Sequence, residues 1–134
     1  MLHKINHIGI AVQSIDAVIP FYRDQLGMEF LGSEDVPEQK VRVAMLCVGE
    51  SKIELLEPLS SDSPVAKFLE KSGQGIHHVA YEVADLQSAI AKLVAEGARM
   101  IDEKPRNGAH GSLIAFVHPK SSHGVLTELC QGGH

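Results

Sequence analysis

The chain has 134 residues, 44% of them apolar, and a formal net charge of −5. That is enough for one domain with a hydrophobic core and too little for two ordinary ones. The acidic balance and the lack of a long basic run exclude a broad nucleic-acid footprint, and no apolar run reaches bilayer-spanning length. The opening Met1-Leu2-His3-Lys4-Ile5-Asn6 turns polar too soon for a secretory signal. Cys47 and Cys130 sit in apolar segments without CxxC spacing. They are expected to be buried thiols in a reducing, cytoplasmic setting.

In chain order, Asn6-His7-Ile8-Gly9-Ile10-Ala11-Val12 reads as a strand with alternating faces. A helix is predicted over residues 14–25, with Ser14 as N-cap, Ile15, Val18, Ile19, Phe21 and Tyr22 at helical spacing, and Gly27 as its stop. Strands are expected at about 28–36, 41–48 and 52–57, the last two joined by the turn Gly49-Glu50-Ser51. Residues 59–75, with Pro64 and a short helical stretch near 65–71, look like a linker.

After the linker the pattern starts again. His77-His78-Val79-Ala80-Tyr81-Glu82-Val83 matches the first strand: polar, His, aliphatic, small, then strand residues ending in Val. A helix over 85–96 follows, capped by Asp85 and stopped by Gly97, with Leu86, Ala89, Ile90 and Leu93 at helical spacing. Strands are predicted at 99–103, 112–117 and 124–130. The chain is thus two βαβββ repeats, about 3–58 and 76–131, in a single domain spanning 1–134. The expected fold is α+β: the paired repeats form a curved eight-stranded cup with helices outside, and matching positions share its interior.

Alternation puts His7 and Gly9 on one face of the first strand, and His78 and Ala80 on the equivalent face of its counterpart. The last strand of each half carries a carboxylate among apolar neighbours, Glu54 in Lys52-Ile53-Glu54-Leu55-Leu56 and Glu128 in Leu126-Thr127-Glu128-Leu129. One histidine alone is more often a hydrogen-bonded core residue, and one glutamate a solvated one. A His and a Glu at matching places in both repeats point instead to a metal site, because an ionised carboxylate among Leu and Val is costly without a cation. Two imidazoles and two carboxylates suit a divalent first-row ion with positions left open.

These segments, together with Gly75-Ile76-His77-His78-Val79-Ala80, Gly108-Ala109-His110-Gly111, Phe116-Val117-His118-Pro119-Lys120 and Gly124-Val125-Leu126-Thr127-Glu128-Leu129, resemble the vicinal oxygen chelate superfamily. Within it they are most similar to methylmalonyl-CoA epimerases, over nearly the whole chain. The resemblance implies metal ligands at His7, Glu54, His78 and Glu128, and a divalent ion, with Co2+ the first choice. It implies methylmalonyl-CoA as substrate, no nucleic-acid or membrane partner, and a homodimer. It also places an acid/base glutamate at Glu38, in Val36-Pro37-Glu38-Gln39; a second proton-handling group is expected at Glu128, because epimerisation needs one on each face of a planar intermediate. The chain departs from the family pattern at Lys40, where relatives often carry Gly. The alternatives are a glyoxalase I-type lyase and a metal-free binding module on the same fold. Of the other histidines, His77 points to the opposite face from His78, and His110 lies in a Gly-flanked loop as a lid, a substrate contact or an ordinary loop residue. His3, His123 and His134 fit no pattern. Lys104, Arg106 and Lys120 could meet phosphates or merely solubilise.

Overall fold

The computed structural model describes residues 1–132, so His134 lies outside the described residues. The elements run β1 (Leu2–Ala11), α1 (Ile15–Pro20), β2 (Glu29–Val36), β3 (Val41–Val48), β4 (Ser51–Pro58), α2 (Pro64–Ser72), β5 (Gly75–Val83), α3 (Leu86–Ala95), β6 (Arg106–Asn107), β7 (Leu113–Val117) and β8 (Thr127–Gln131). Strand order is β2-β3-β4-β1 in the first half and β6-β7-β8-β5 in the second. Both halves are therefore βαβββ units of one topology. The compact units are His7–His77, and residues 1–6 with the chain from His78 onward. Within the latter, Asn6 Nδ2 donates to Glu82 Oε1 at 3.3 Å.

In each half the first strand pairs in parallel with the last. Gly9 faces Glu54 in one and Ala80 faces Glu128 in the other. An antiparallel hairpin completes the unit, β3–β4 with Met45 opposite Glu54, and β7–β8 with Phe116 opposite Glu128. One helix packs on the face away from these glutamates. Ile15 and Ile19 of α1 cluster with Ala44, Leu46 and Leu55, while Leu86, Ala89 and Ile90 of α3 cluster with Val83, Ala115 and Leu129. Leu55 and Leu129, each next to a ligand-candidate glutamate in sequence, thus point into the helix-covered core. Burying such a side chain stabilises by roughly 1.5–3 kcal/mol, which fixes the strand faces against a one-residue slip.

The helix starts are also tied to the last strands in the same way. Ile15 N donates to Glu57 Oε1 at 2.8 Å, and Leu86 N to Gln131 Oε1 at 2.7 Å. Glu57 and Gln131 lie three residues beyond Glu54 and Glu128. Ser14 and Asp85 cap these helices as expected, accepting from Ala17 N at 3.3 Å and Ser88 N at 3.2 Å. Ser63 caps α2 by accepting from Val65 N.

Two predicted elements differ. The helix expected over 14–25 stays α-helical only to Pro20, and Phe21–Gln25 is a π-turn. Pro20 has no N–H for the helical ladder and crowds the preceding turn, so the chain widens there: Leu26 N bonds Phe21 O, five residues back. The strand predicted at 99–103 is reduced to a single bridge, Met100 with Val117, and regular pairing to β7 resumes only at Arg106 and Asn107. Asp102 is the cause. Its Oδ2 accepts from Phe116 N at 2.9 Å, taking the place of a backbone acceptor. Pro105 cannot donate at all.

Candidate metal and proton-transfer site

His7, Glu54, His78 and Glu128 are all buried, each no more than 6% exposed. In the first half His7 Nε2 lies 3.4 Å from Glu54 Oε2; in the second His78 Nε2 lies 3.3 Å from Glu128 Oε1. The cause is the shared register. The histidine stands two residues before the small residue that faces the glutamate, so both side chains project to one face.

Burial disfavours charge on both members of the first pair. Burial lowers His7 to about 4, with the Lys52 ammonium adding to the effect. Burial raises Glu54 to about 7, the nearby Glu34 carboxylate raises it further, and Lys52 works the other way. Desolvation therefore outweighs the attraction between imidazolium and carboxylate. A neutral imidazole is what a metal ion needs, and a buried carboxylate lacking a compensating charge is what a cation would relieve. The donor chemistry, buried imidazole with buried carboxylate, fits a divalent ion. Cys130 is buried two residues past Glu128, whereas Cys47, also expected to be buried, is only half-buried because β3 turns it toward the exposed Gly49 turn.

The surroundings of the pairs include Met45, Glu34 and Phe116, to which the sequence assigns no role, and Arg106, which it offers only as a phosphate contact or a solubilising cation. Across the first half's strands, Met45 faces Glu54, and Glu34 faces Val43, two residues before Met45. Across the second, Phe116 faces Glu128, and Arg106 faces Ile114, two residues before Phe116. Phe116 meets the His78 ring edge-on, centroids 5.5 Å apart. Such contacts become visible only once strand register is known.

Glu38 is exposed, in the 3-10 turn Pro37–Gln39 that follows β2. Lys40, just after it, adopts a left-handed φ of 55°. That is the conformation glycine takes most easily, so the loop keeps its turn although the residue has a side chain. Lys40 N closes the turn on Pro37 O, and Lys40 Nζ pairs with Asp62. His110 also has a φ of 55°, in the turn Ala109–Gly111. Gly108 before it is sterically required, since a Cβ there would stand 2.7 Å from Ile114 Cγ2. His77 packs edge-on against Phe68, in keeping with a structural role. His118 Nδ1 accepts from Lys120 N at 3.0 Å.

A family model for the Glyoxalase/Bleomycin resistance protein/Dioxygenase superfamily matches residues 6–116. The chain is 43% identical over 133 residues to the ethylmalonyl-CoA/methylmalonyl-CoA epimerase of Cereibacter sphaeroides, covering 98% of this chain and 99% of that one. A Streptomyces coelicolor methylmalonyl-CoA epimerase variant solved with 2-nitronate-propionyl-CoA matches with a TM-score of 0.95 and 44% identity, over 98% of this chain and 96% of that one. A methylmalonyl-CoA epimerase solved with methylmalonyl-CoA matches equally well, with a TM-score of 0.95, 44% identity and the same coverage. On this whole-length likeness the chain belongs to the glyoxalase/bleomycin resistance protein/dioxygenase superfamily, among its methylmalonyl-CoA epimerases.

Proposed function

We propose that the chain, acting as one domain over residues 1–134, interconverts the two C2 epimers of methylmalonyl-CoA by removing and returning the proton at that carbon. The observation that carries this reading is the duplicated buried His–Glu pair in a chain alike over its full length to named epimerases. The C2 proton lies between a thioester and a carboxylate, and both withdraw charge from the carbanion left behind.

His7, Glu54, His78 and Glu128 would hold one divalent ion, for which Co2+ is our first assignment. When bound, the ion supplies Lewis-acid stabilisation of negative charge on the substrate's oxygens. The neutral His7 imidazole is ready to donate its lone pair at physiological pH. Glu54 gives up a proton when a cation arrives. Glu128 handles the C2 proton on one face, and Glu38 serves the other. Glu38 rests on family resemblance, and its loop keeps the turn at Lys40 despite the loss of glycine.

The apolar side chains left exposed on β1 and at the start of β5, Leu2, Ile5 and Ile76, suit a homodimer. Two cysteines that form no disulfide with each other, Cys47 and Cys130, fit a cytoplasmic location. The net charge of −5 argues against nucleic acid as a partner. No helix among the described residues is long and apolar enough to cross a membrane.

The test is incubation of metal-loaded protein with methylmalonyl-CoA in deuterium oxide, with and without a chelator. Mass spectrometry should find one deuterium at C2, and chelation should abolish its uptake. Absence of exchange by the loaded protein would end the epimerase reading. Turnover of methylglyoxal with glutathione would favour the lyase instead.

A further inference from the structure

Glu128, Phe116, Ile114 and Arg106 form a row across β8, β7 and β6, each pair in register or two residues along one strand. Side chains in such a row share one face, the face that carries the ligand candidates His78 and Glu128. Arg106 is therefore brought to the substrate side of the second half although its sequence, Lys104-Pro105-Arg106-Asn107, reads as an ordinary surface turn.

Its guanidinium is held on two sides. Cζ lies 5.6 Å from the centroid of the Phe116 ring, whose edge contact is His78. Nε is 3.3 Å from Asp102 Oδ1, while Asp102 Oδ2 accepts from Phe116 N at 2.9 Å. Asp102 thus sits as a counter-charge beside the arginine, without a hydrogen bond to Nε, while its other oxygen bonds the strand under it. Nε is enclosed, yet the arginine side chain as a whole keeps 39% exposure. The accessible part is the outer end, where Nη1 and Nη2 present a planar fork with no protein acceptor among the described residues. A fork fixed by an aromatic face and a carboxylate loses little further freedom on taking up a planar anion.

We propose that Arg106 is a substrate-binding residue that receives the free carboxylate of the acyl group. This rests on the epimerase reading above. The CoA phosphates are the other anions this substrate carries, but they lie at the far end of the pantetheine arm. Arg106 stacks on the very ring that packs against His78, next to the reacting end. The first half lacks this device: at the matching register it has Glu34 and Met45. The site is thereby polar in a chemical sense, and only the second half offers a carboxylate its fork.

The experiment compares equilibrium binding and steady-state kinetics of metal-loaded wild type, Arg106→Met and Arg106→Lys. Three probes separate the anions: methylmalonyl-CoA, butyryl-CoA (phosphates, no carboxylate) and methylmalonyl-pantetheine (carboxylate, no CoA phosphates). Arg106→Met should raise Kd and KM for both carboxylate-bearing probes tenfold or more and leave butyryl-CoA within twofold. Metal content should stay at the wild-type value, and Arg106→Lys, which keeps the charge but not the planar fork, should recover only part of the loss. If the Met variant does not fold, Arg106→Gln carries the same test. Equal weakening of butyryl-CoA would assign the residue to the phosphates and overturn the proposal. So would unchanged binding of all three probes, or a loss explained by missing metal. If wild type itself neither binds methylmalonyl-CoA nor exchanges its proton, the epimerase reading falls and takes this one with it; normal wild type beside a normal Arg106→Met removes this inference alone.

Discussion

The two halves make their His–Glu pairs with the same register and nearly the same distance, yet they surround them differently. Glu54 has Met45 opposite, Lys52 two residues before, and Glu34 acting on it through space. Glu128 has Phe116 opposite, Leu126 two residues before, and Arg106 at the position matching Glu34. Duplication thus accounts for the ligand positions and not for their environment. One half keeps a charged, titratable setting in which a proton is easily held. The other builds an aromatic, locked setting with a cation at its rim. The two repeats can thus differ in chemistry while each keeps its His–Glu pair.

The largest expected contrast is between Glu128→Gln and Glu54→Gln. Glu128 is proposed to bind metal and move the C2 proton, so its loss should cut turnover by about 10²–10⁴-fold and reduce bound metal. Glu54→Gln keeps an oxygen donor and should cost on the order of tenfold. Epimerisation rates with metal content measured by mass spectrometry decide it, and equal losses would erase the functional asymmetry. Next in size, Glu38→Gln should lower turnover about a hundredfold with metal retained. Near-normal turnover would remove Glu38 and turn attention to His110, a bound water, or Glu34, whose charge already acts on Glu54.

A third contrast uses pH in the metal-free protein. Folding lowers His7 from 6.5 to about 4, so between those values the unfolded chain holds a proton the folded one lacks, and this contribution raises stability as pH rises. Folding raises Glu54 from 4.5 to about 7, so there the folded chain holds the extra proton, and stability falls as pH rises. The slopes oppose each other. Urea unfolding between pH 4.5 and 6.5 should find little net dependence from this pair in wild type. Stability should rise with pH in Glu54→Gln and fall with pH in His7→Gln; like-signed slopes in the two variants would contradict the assignment. Metal affinity should climb with pH until Glu54 ionises near 7, with proton release on binding falling as pH passes that value.

The smallest contrast is steric. Met45→Leu is volume-conserving and should cost less than about 1.5 kcal/mol. Phe116→Leu gives up ring contacts with His78 and Arg106 and should cost about 1 kcal/mol more. Thermal unfolding of the two variants checks the order, and the reverse order would show that Phe116 does not brace its half.

Much of this was readable from residue order. Strand alternation around His7 and His78, the Ser14 and Asp85 caps, and β3 at Val41–Val48 all follow from local chemistry. The buried glutamates stood out because they interrupt apolar strands. Where reading failed, a side chain had replaced the backbone or a ring had blocked it. Asp102 bonds Phe116 N and breaks what looks like a strand, and Pro20 turns an apparently continuous helix into a π-turn. The placement of Glu34, Arg106 and Phe116 beside the glutamates is not legible in the sequence for another reason. Their importance depends on which residue lies opposite on the next strand, and composition along one strand does not contain that.

Each histidine sits on the first strand of its half and its glutamate on the last, 47 residues away in one case and 50 in the other. The hairpins β3–β4 and β7–β8 can form early, because their contacts are local. The parallel pairings that unite His with Glu span a helix and two further strands, so they close longer loops than the hairpins do and are expected to form after them. A folding transition state containing the hairpins but not these closures has no ligand pair for an ion to grip. Metal should therefore act as a late lock, slowing unfolding while leaving the folding rate almost untouched.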